Sequence, residues 1–160
     1  MVTMKEVKDL YTWCKNKLHQ EVSKELGIFI ASNIELLEYL NKEITNQLYD
    51  ENKDSKFIEY RNEMNKLFQQ YSDRDEQGTI LTKADGTPQI TEMIVEFDKE
   101  EVKVRNKYKD TLEKYFNKDK INESILNQEV SINLLNLNIV DGMTPYIIGI
   151  LKKCEEKCAK

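Results

Sequence analysis

The sequence predicts an α+β fold that is mostly helical: a long antiparallel helical hairpin with a small β-hairpin and short terminal helices. Apolar residues recur at gaps of three and four over most of the 160 residues, which is the spacing of an amphipathic helix. Only two prolines and five glycines interrupt the chain, so long helices can form. An Asp85–Gly86 pair, typical of a tight β-turn, lies between two short β-prone runs. The length fits a single helix-rich domain over residues 1–160.

Residues 1–26 are predicted to form an N-terminal helix. Thr3 and Glu6 have the spacing of a capping box, in which each side chain satisfies the other residue's backbone N–H. Gly27 indicates a stop or bend after this helix. The apolar stripe of the helix consists of Val7, Leu10, Tyr11, Cys14 and Leu18.

Residues 28–116 are predicted to form a helix, a β-hairpin and a second helix. Apolar residues keep one helical face from Ile28 to Tyr71, interrupted only by the polar stretch Asp50–Lys56. We therefore expect one long helix, or two nearly continuous helices, over this range. The polar stretch is either exposed helix or loop, and the sequence leaves both alternatives open.

A short β-hairpin is predicted after this helix. Its candidate strands are Thr79–Thr82 and Gln89–Thr91, and the glycine of Asp85–Gly86 accepts the positive φ that a primed turn requires. Pro88 has no N–H to donate to a ladder. The hairpin is therefore expected to be short or to lie at an edge.

The second helix is predicted from a capping signature formed by Asp98 and Glu101. Its apolar and aromatic positions continue to Phe116, and the polar run Asn117–Lys120 is expected to end it. This helix and the first long helix would form the two arms of the helical hairpin.

Residues 117–160 are predicted to contain a strand segment and a C-terminal helix. Polar and apolar residues alternate over Val130–Leu134 and over Leu135–Ile139, with a phase slip between them that indicates a bulge or a bend. Thr144 is then expected to cap a last helix with Pro145 at its first position. The apolar face of that helix consists of Ile147, Leu151, Cys154 and Cys158.

The composition predicts a soluble protein of a reducing compartment. The formal net charge of −5 is mild and argues against a general nucleic-acid-binding surface, which is normally basic. No run in the sequence approaches the roughly 20 apolar residues of a membrane span, and the N-terminus lacks the apolar core of a signal peptide. Three cysteines do not form a disulfide framework. We therefore expect neither a membrane partner nor a nucleic-acid partner.

Candidate catalytic and metal-ligating residues are few. His19 is the only histidine, and no nucleophile turn, phosphate loop or dinucleotide fingerprint accompanies it. A surface histidine is favoured, and no catalytic residue is assigned. Cys154 and Cys158 lie four apart on one helical face, and Cys14 with His19 would complete four zinc ligands only if the terminal helices meet. Plain packing of the cysteines is favoured, and neither a metal nor a cofactor is expected.

Asp73, Asp75 and Gly78 fall at positions one, three and six of a calcium loop. Ala84 stands at position twelve, where such a loop has a bidentate glutamate. The aspartates and the glycine are therefore expected to form a turn.

Two further groups of side chains favour structural roles over ligand binding. A basic run with a period of two spreads its charges around a helix, which predicts a solvated surface rather than a stripe that tracks phosphates. The aromatic side chains are expected to pack two helices against each other rather than to stack bases. The basic run is Lys103, Arg105, Lys107 and Lys109, and the aromatic residues are Tyr60, Phe68, Tyr71, Tyr108, Tyr115 and Phe116.

The order of these elements is similar to a family of short bacteriophage proteins of unknown function. The likeness covers roughly Val22 to Leu151. A Tyr-x-x-x-Asp-x-x-Gly element follows a long helix at Tyr71–Gly78, a hairpin comes next, and a Val-x-Ile strand occurs at Val130–Ile132. The resemblance implies a viral origin and a helical-hairpin architecture. The family brings no catalytic residues to transfer and leaves the activity open.

These observations predict a non-enzymatic protein that binds another protein, located in the virion or in the host cytoplasm. A structural or assembly component of a virus particle is the first expectation, with a viral structural protein as its partner. The alternative is an inhibitor that blocks a host enzyme or a defence nuclease. A second copy of the chain is a further candidate partner, through the Ile28–Tyr71 face. No partner-binding residue is singled out, but the Asp85–Gly86 hairpin and Asp50–Lys56 are the segments least constrained by packing.

Overall fold

The computed structural model of the protein describes residues 1–155, and 63% of these residues are helical. A two-stranded antiparallel sheet accompanies the helices, so the predicted, mostly helical α+β class is confirmed. The elements are β1 (Val2–Thr3), α1 (Met4–Lys17), α2 (Lys24–Gln47), α3 (Ser55–Tyr71), α4 (Ile94–Lys107), α5 (Lys109–Phe116), α6 (Lys118–Leu126), β2 (Glu129–Val130) and α7 (Pro145–Glu155).

The chain forms two compact units. Unit 1 comprises Met1–Tyr49 and the described chain from Asp119 onward, and unit 2 comprises Asp50–Lys118. The single helix-rich domain over residues 1–160, with its three segments, stays a prediction. Within the described residues, no helix has the length and the apolar character needed to cross a membrane.

Helix α1 begins with the predicted capping box. The Glu6 N–H donates to Thr3 Oγ1 at 3.2 Å, and the Thr3 N–H donates to Glu6 Oε2 at 2.8 Å. The stripe predicted for this helix is buried from Val7 to Cys14. Leu18 does not belong to that stripe, because the helix has ended and its side chain is exposed.

Helix α2 begins before Gly27, so the predicted stop at this glycine is wrong. Ser23 caps the helix by accepting the Leu26 N–H at 3.2 Å. The Gly27 N–H donates to the Ser23 carbonyl at 2.9 Å, so Gly27 lies within the start of the helix. A good cap therefore outweighs the low helix propensity of one glycine.

Of the two alternatives predicted over Ile28–Tyr71, a single long helix is wrong, because two helices with a loop between them are present. Helix α2 ends at Gln47, and α3 begins only at Ser55, in the other unit. The carboxylate of Asp54 accepts the N–H groups of Lys56 and Phe57, which makes it the N-cap of α3. A local cap therefore overrides an apolar pattern that continues across the gap, and the polar stretch is loop up to Asp54.

The core of unit 1 is formed by α1, α2, α7 and the chain after β2. Strand β1 pairs with β2 in antiparallel register, Val2 opposite Val130. Thr144 caps α7 as predicted, and Ile147, Leu151 and Cys154 are buried on its inner face. Cys158 lies outside the described residues. The buried apolar residues are Val2, Met4, Val7, Leu10, Tyr11, Cys14, Leu26, Phe29, Ile30, Leu37, Ile44, Ile132, Leu134, Ile147, Ile150, Leu151 and Cys154.

The strands predicted over Val130–Ile139 are mostly absent, since only Val130 of this range belongs to a strand. A buried asparagine of α2 forms hydrogen bonds with this segment instead. Asn33 is 1% exposed. Its Nδ2 donates to the Leu135 carbonyl at 2.8 Å, and its Oδ1 accepts the Leu135 N–H at 2.7 Å. One side chain thus supplies the partners that a neighbouring strand would provide. The bend predicted after Leu134 is present, since Asn136 has a φ of 54°.

Unit 2 is a helical hairpin in which α3 packs against α4 and α5. The second helix begins at Ile94 without a side-chain cap, so the predicted capping role of Asp98 and Glu101 is wrong: both lie inside α4. The helix is interrupted at Tyr108 and ends at Phe116 as predicted. Helix α6 starts two residues later, so Asn117–Lys120 does not end the helical structure.

The predicted β-hairpin is present between the two arms, but isolated bridges hold it together instead of regular strands. The Gln89 N–H donates to the Leu81 carbonyl and the Lys83 N–H to the Thr87 carbonyl, each at 2.8 Å. Gly86 turns the chain with a φ of 81°. Thr82 is bridged to Pro88, whose missing N–H limits the ladder.

Candidate functional surface

The outer side of α4 and α5 exposes three large apolar side chains. Val95, Val102 and Phe116 are 58%, 55% and 70% exposed. Val95 and Val102 lie seven residues apart on α4, close to two full turns, and so share one side of that helix, whereas Phe116 lies at the end of α5, beyond the interruption at Tyr108. We call these three residues the apolar stripe. Exposed apolar side chains that line up in this way mark interaction surfaces more often than scattered ones do.

An open groove of about 710 Å³ lies beside Phe116 at the end of this stripe. Arg105 and Lys109 bring positive charge to it, and Glu113 brings a negative charge. Arg105 is already paired with Glu101 at 2.8 Å. We call this site the Phe116 groove; its lining residues are Arg105, Asn106, Lys109, Leu112, Glu113, Phe116 and Asn117.

Aromatic pairs on the inner side hold the stripe in place. Phe57 stacks on Tyr115 with ring centroids 4.4 Å apart, and Phe68 stacks on Phe97 at 5.4 Å. The predicted packing role of the aromatic residues is therefore confirmed for these contacts. Phe116 is the exception, because its ring touches Tyr115 but faces outward.

Glu63 of α3 forms hydrogen bonds with the residues at the interruption between α4 and α5. The sequence contained no signal for this role. Its Oε1 accepts hydrogen bonds from Lys107 Nζ at 2.5 Å and from Tyr108 Oη at 2.9 Å. These bonds lower the pKa of Glu63 below its ordinary value. Burial first, and then the bond to Glu63, raise the pKa of the Tyr108 hydroxyl. The contact ties α3 to α4 at the point where the second arm is interrupted.

Lys103, Arg105 and Lys107 of the basic run pair with acidic neighbours, which agrees with the predicted solvated surface. Lys103 bonds to Glu100 at 2.6 Å, and Lys107 takes its partner from α3. The carboxylates hold the pKa of both lysines above its ordinary value. These cations therefore do not form an unpaired track for a phosphate backbone.

Helix α2 exposes a second set of apolar side chains, in unit 1. Ile28, Leu36 and Tyr39 are all exposed, and Tyr39 is 60% exposed. Ile28 and Tyr39 lie eleven residues apart, close to three full turns, and so share one side of the helix. The same outer surface carries the exposed carboxylates of Glu35 and Glu43.

The two segments named as candidates from the sequence are shaped by their own hydrogen bonds. At the tip of the hairpin, Asp85 Oδ1 accepts the Thr87 N–H at 2.9 Å and the Thr87 hydroxyl at 2.6 Å, which lowers the pKa of Asp85. In the polar stretch, Asp50 Oδ1 accepts the Asn52 N–H at 2.9 Å. The hairpin tip is exposed, the polar stretch is loop up to Asp54 and partly exposed, and neither segment contributes to the apolar stripe.

The partial calcium-loop pattern is a turn. Asp75 Oδ1 accepts the N–H groups of Gln77 and Thr79, at 2.9 and 2.8 Å. Asp73 Oδ2 accepts the Thr91 hydroxyl at 2.7 Å, and this bond lowers the pKa of Asp73. Both carboxylates are therefore engaged in hydrogen bonds within the protein.

Among the described residues, Cys14 and Cys154 do not form one site with His19. Cys14 and Cys154 are both buried in the core of unit 1, and neither forms a disulfide. Burial raises the pKa of the Cys14 thiol to about 12, so this thiol is protonated at neutral pH. His19 is exposed in the turn after α1. Residues 1–155 contain no group of three or more histidine, cysteine, aspartate or glutamate side chains placed to hold a metal ion.

Comparison of the chain with models of protein families, with curated proteins and with solved structures finds no match. The resemblance to short bacteriophage proteins therefore stays a prediction. The function is argued below from the surface of the protein.

Proposed function

We propose that this chain is a non-enzymatic protein of bacteriophage type that works by binding another protein, as a structural or assembly component of a virus particle. The observation that carries the proposal is the apolar stripe of Val95, Val102 and Phe116 on the outer side of unit 2. The stripe residues belong to two successive helices, α4 and α5, so they suit a helix-in-groove or helix-on-helix contact with a protein partner.

The geometry of the second arm supports this proposal. Phe97 and Tyr108 point inward and are buried, while the stripe residues of the same arm are exposed. Packing within the hairpin requires apolar residues on only one side of this arm. The outer side therefore has the character of an interface that lacks its partner.

The chemistry of the candidate nucleophiles also supports a non-catalytic role. A catalytic cysteine needs a lowered thiol pKa and access to substrate. Cys14 has the opposite properties, since its thiol is buried and its pKa is raised to about 12. We assign no catalytic residue and no cofactor to the chain.

A second candidate function is inhibition of a host enzyme or a defence nuclease. The observation that favours it is the set of exposed carboxylates on α2, with Glu35, Glu38 and Glu43 on the outer part of the helix. An acidic surface can occupy a basic groove that otherwise binds nucleic acid. In this case the protein would act in the host cytoplasm rather than in the virion.

Quantitative mass spectrometry of purified phage particles tests the first candidate. We expect the chain at a fixed stoichiometry in mature particles or in assembly intermediates, with a viral structural protein crosslinked to residues near Phe116. Phe116→Ser should abolish incorporation, whereas Leu135→Ser, at another exposed apolar position outside the stripe, should leave it unchanged. Absence from every particle stage, together with recovery of a host nuclease on the chain, would overturn the assembly role in favour of inhibition.

A further inference from the structure

Two dipeptides of this protein have the same sequence, Asp–Gly, and both are exposed. Asp85–Gly86 lies at the tip of the hairpin in unit 2, and Asp141–Gly142 forms the turn before α7 in unit 1. The glycine has a positive φ in both turns, 81° at Gly86 and 94° at Gly142. An Asp–Gly bond can rearrange without an enzyme, because glycine has no side chain to shield its amide nitrogen. We propose that Asp141–Gly142 is a site of isoaspartate formation in the folded protein, whereas Asp85–Gly86 is protected.

The rearrangement passes through a cyclic imide. The Gly142 amide nitrogen forms a bond to Cγ of the protonated Asp141 carboxyl group, the bond from Cγ to the hydroxyl breaks, and the hydroxyl leaves with the amide proton as water. A second water then adds to one of the two ring carbonyls. Opening at the former main-chain carbonyl leads the backbone through Cβ and Cγ and gives isoaspartate, while opening at Cγ returns aspartate. One water is released and one is taken up, so the solvent is the only co-reactant.

Hydrogen bonds hold both reacting groups of the hairpin dipeptide. Asp85 Oδ1 accepts the Thr87 N–H at 2.9 Å and the Thr87 hydroxyl at 2.6 Å. The Gly86 N–H donates to the Lys83 carbonyl at 3.0 Å. These bonds must break before the nitrogen can reach Cγ. The bonds from Thr87 also lower the pKa of Asp85, which reduces the fraction of the protonated carboxyl that reacts.

The reacting groups of the second dipeptide are not held in this way. Among residues 1–155, neither the Asp141 carboxylate nor the Gly142 N–H has a hydrogen-bond partner. The Met143 N–H closes the turn onto the Val140 carbonyl at 3.4 Å, which exceeds the usual length of about 2.7 to 3.2 Å. Rotation of the Asp141 backbone toward the reactive geometry is therefore opposed only weakly.

The position of Gly142 gives the modification a structural consequence. A Cβ atom placed on Gly142 would lie 3.3 Å from Leu26 Cδ2, and Leu26 is buried in the core of unit 1. Isoaspartate adds a methylene group to the backbone directly before this glycine, so the chain must shift against the core. The modified chain should therefore unfold at a lower urea concentration than the unmodified chain.

Incubation of the full chain at neutral pH in water enriched in ¹⁸O tests the proposal. Each hydrolysis of the imide adds one ¹⁸O atom, whether aspartate or isoaspartate results. Trypsin in ordinary water then releases peptides 84–99 and 121–152, each with one of the two dipeptides. Electron-transfer fragmentation locates the label and separates isoaspartate from aspartate, and it distinguishes Asp141 from the asparagines of its peptide.

The labelling rate of each aspartate is divided by the rate in the corresponding free peptide, which removes the effect of neighbouring residues. The normalised rate of Asp141 should exceed that of Asp85 at least about tenfold, because several hydrogen bonds must break at Asp85. Equal normalised rates at the two positions, or a faster rate at Asp85, would overturn the proposal.

Two variants provide matched controls. Asp141→Glu should abolish isoaspartate in peptide 121–152 and leave peptide 84–99 unchanged, because a glutamate closes the larger ring much more slowly. Thr87→Val removes the hydroxyl bond to Asp85 and should raise the labelling of Asp85 about fivefold, as loss of one hydrogen bond of ordinary strength would. The labelling of Asp141 should not change in this variant. An unchanged rate at Asp85 would remove the protection assigned to Thr87 and contradict the proposed contrast. Incorporation into phage particles enters none of these measurements, so this inference and the proposed function fail separately.

Discussion

In unit 1, four elements pack around one core of mainly aliphatic side chains, whereas in unit 2 pairs of aromatic rings pack between two helical arms. In unit 1, Phe29 and Leu37 of α2 are almost completely buried between helices. In unit 2, the second arm buries Phe97 and Tyr108 but leaves Phe116 exposed. Both units leave large apolar side chains exposed, for example Tyr39 in unit 1 and Phe116 in unit 2. The difference between the units therefore lies in how their cores are built, and it indicates that each unit has a core of its own.

The largest expected effect tests whether the two cores are separate. Phe29→Ala removes a fully buried ring from unit 1 and should lower the free energy of unfolding of that unit by about 3 to 5 kcal/mol. Hydrogen exchange should show faster exchange in α1, α2 and α7, with unchanged protection in α3 and α4. Equal loss of protection in both units would show that they share one cooperative core.

The next largest effect concerns the buried asparagine of unit 1. Asn33→Ala leaves the N–H and the carbonyl of Leu135 without their partners, which should cost about 3 kcal/mol. Asn46→Ala, at an exposed position on the same helix, should change stability by less than about 0.5 kcal/mol. Urea denaturation of both variants measures the difference, and equal midpoints would show that Asn33 does not hold the chain after β2.

Two glycines give smaller effects of opposite sign in the two units. Gly149 lies inside α7, and a methyl group there meets no atom within 4 Å, so Gly149→Ala should stabilise unit 1 by about 0.5 to 1 kcal/mol. Gly86 has a φ of 81° in the hairpin of unit 2, so Gly86→Ala should destabilise that turn by about 1 to 2 kcal/mol. Thermal unfolding of each variant checks the signs, and a gain in stability from Gly86→Ala would contradict the described turn.

The smallest expected effect is the response of unit 2 to acid. Hydrogen bonds from Lys107 and from Thr91 lower the pKa of Glu63 and of Asp73 respectively. A folded-state pKa below the unfolded value means that the stability is fully present above about pH 4 and is lost as the pH falls through the folded value. Hydrogen exchange at pH 3 and at pH 7, corrected for the intrinsic rates, should show lower protection of α3 and α4 at the acidic pH. Glu63→Gln should reduce this pH dependence, and an unchanged dependence would remove Glu63 as its source.

Local signals made parts of this fold predictable. The capping box of Thr3 and Glu6 and the Thr144–Pro145 start of α7 depend on neighbours within three residues, which the sequence displays directly. The break between α2 and α3 was left open, because the sequence does not show whether Asp50–Lys56 is helix or loop. Apolar spacing on both sides of the polar stretch resembles a single helix, and a cap with no change of period is easily read as an exposed turn.

Long-range contacts could not be predicted in the same way. Asn33 lies between Ile30, Ile34 and Leu37 at helical spacing, which was a signal for burial, but its partner Leu135 is more than a hundred residues away. The exposure of the apolar stripe could not be predicted for another reason. Val102 and Phe116 belong to the same residue classes as the buried positions of their helix, and periodicity alone does not show which apolar side lacks a partner.

The most direct test of the contrast between the two units is the structure of residues 50–118 alone in solution. Unit 2 has its own aromatic core, and Lys118 Nζ lies 3.0 Å from Glu51 Oε1, so its two ends are close together. We predict that this fragment is helical, unfolds cooperatively and gives dispersed amide resonances, with the side chain of Phe116 accessible to solvent. A fragment with the spectrum of an unfolded chain would show that unit 2 depends on unit 1, and would contradict its description as a compact unit with a core of its own.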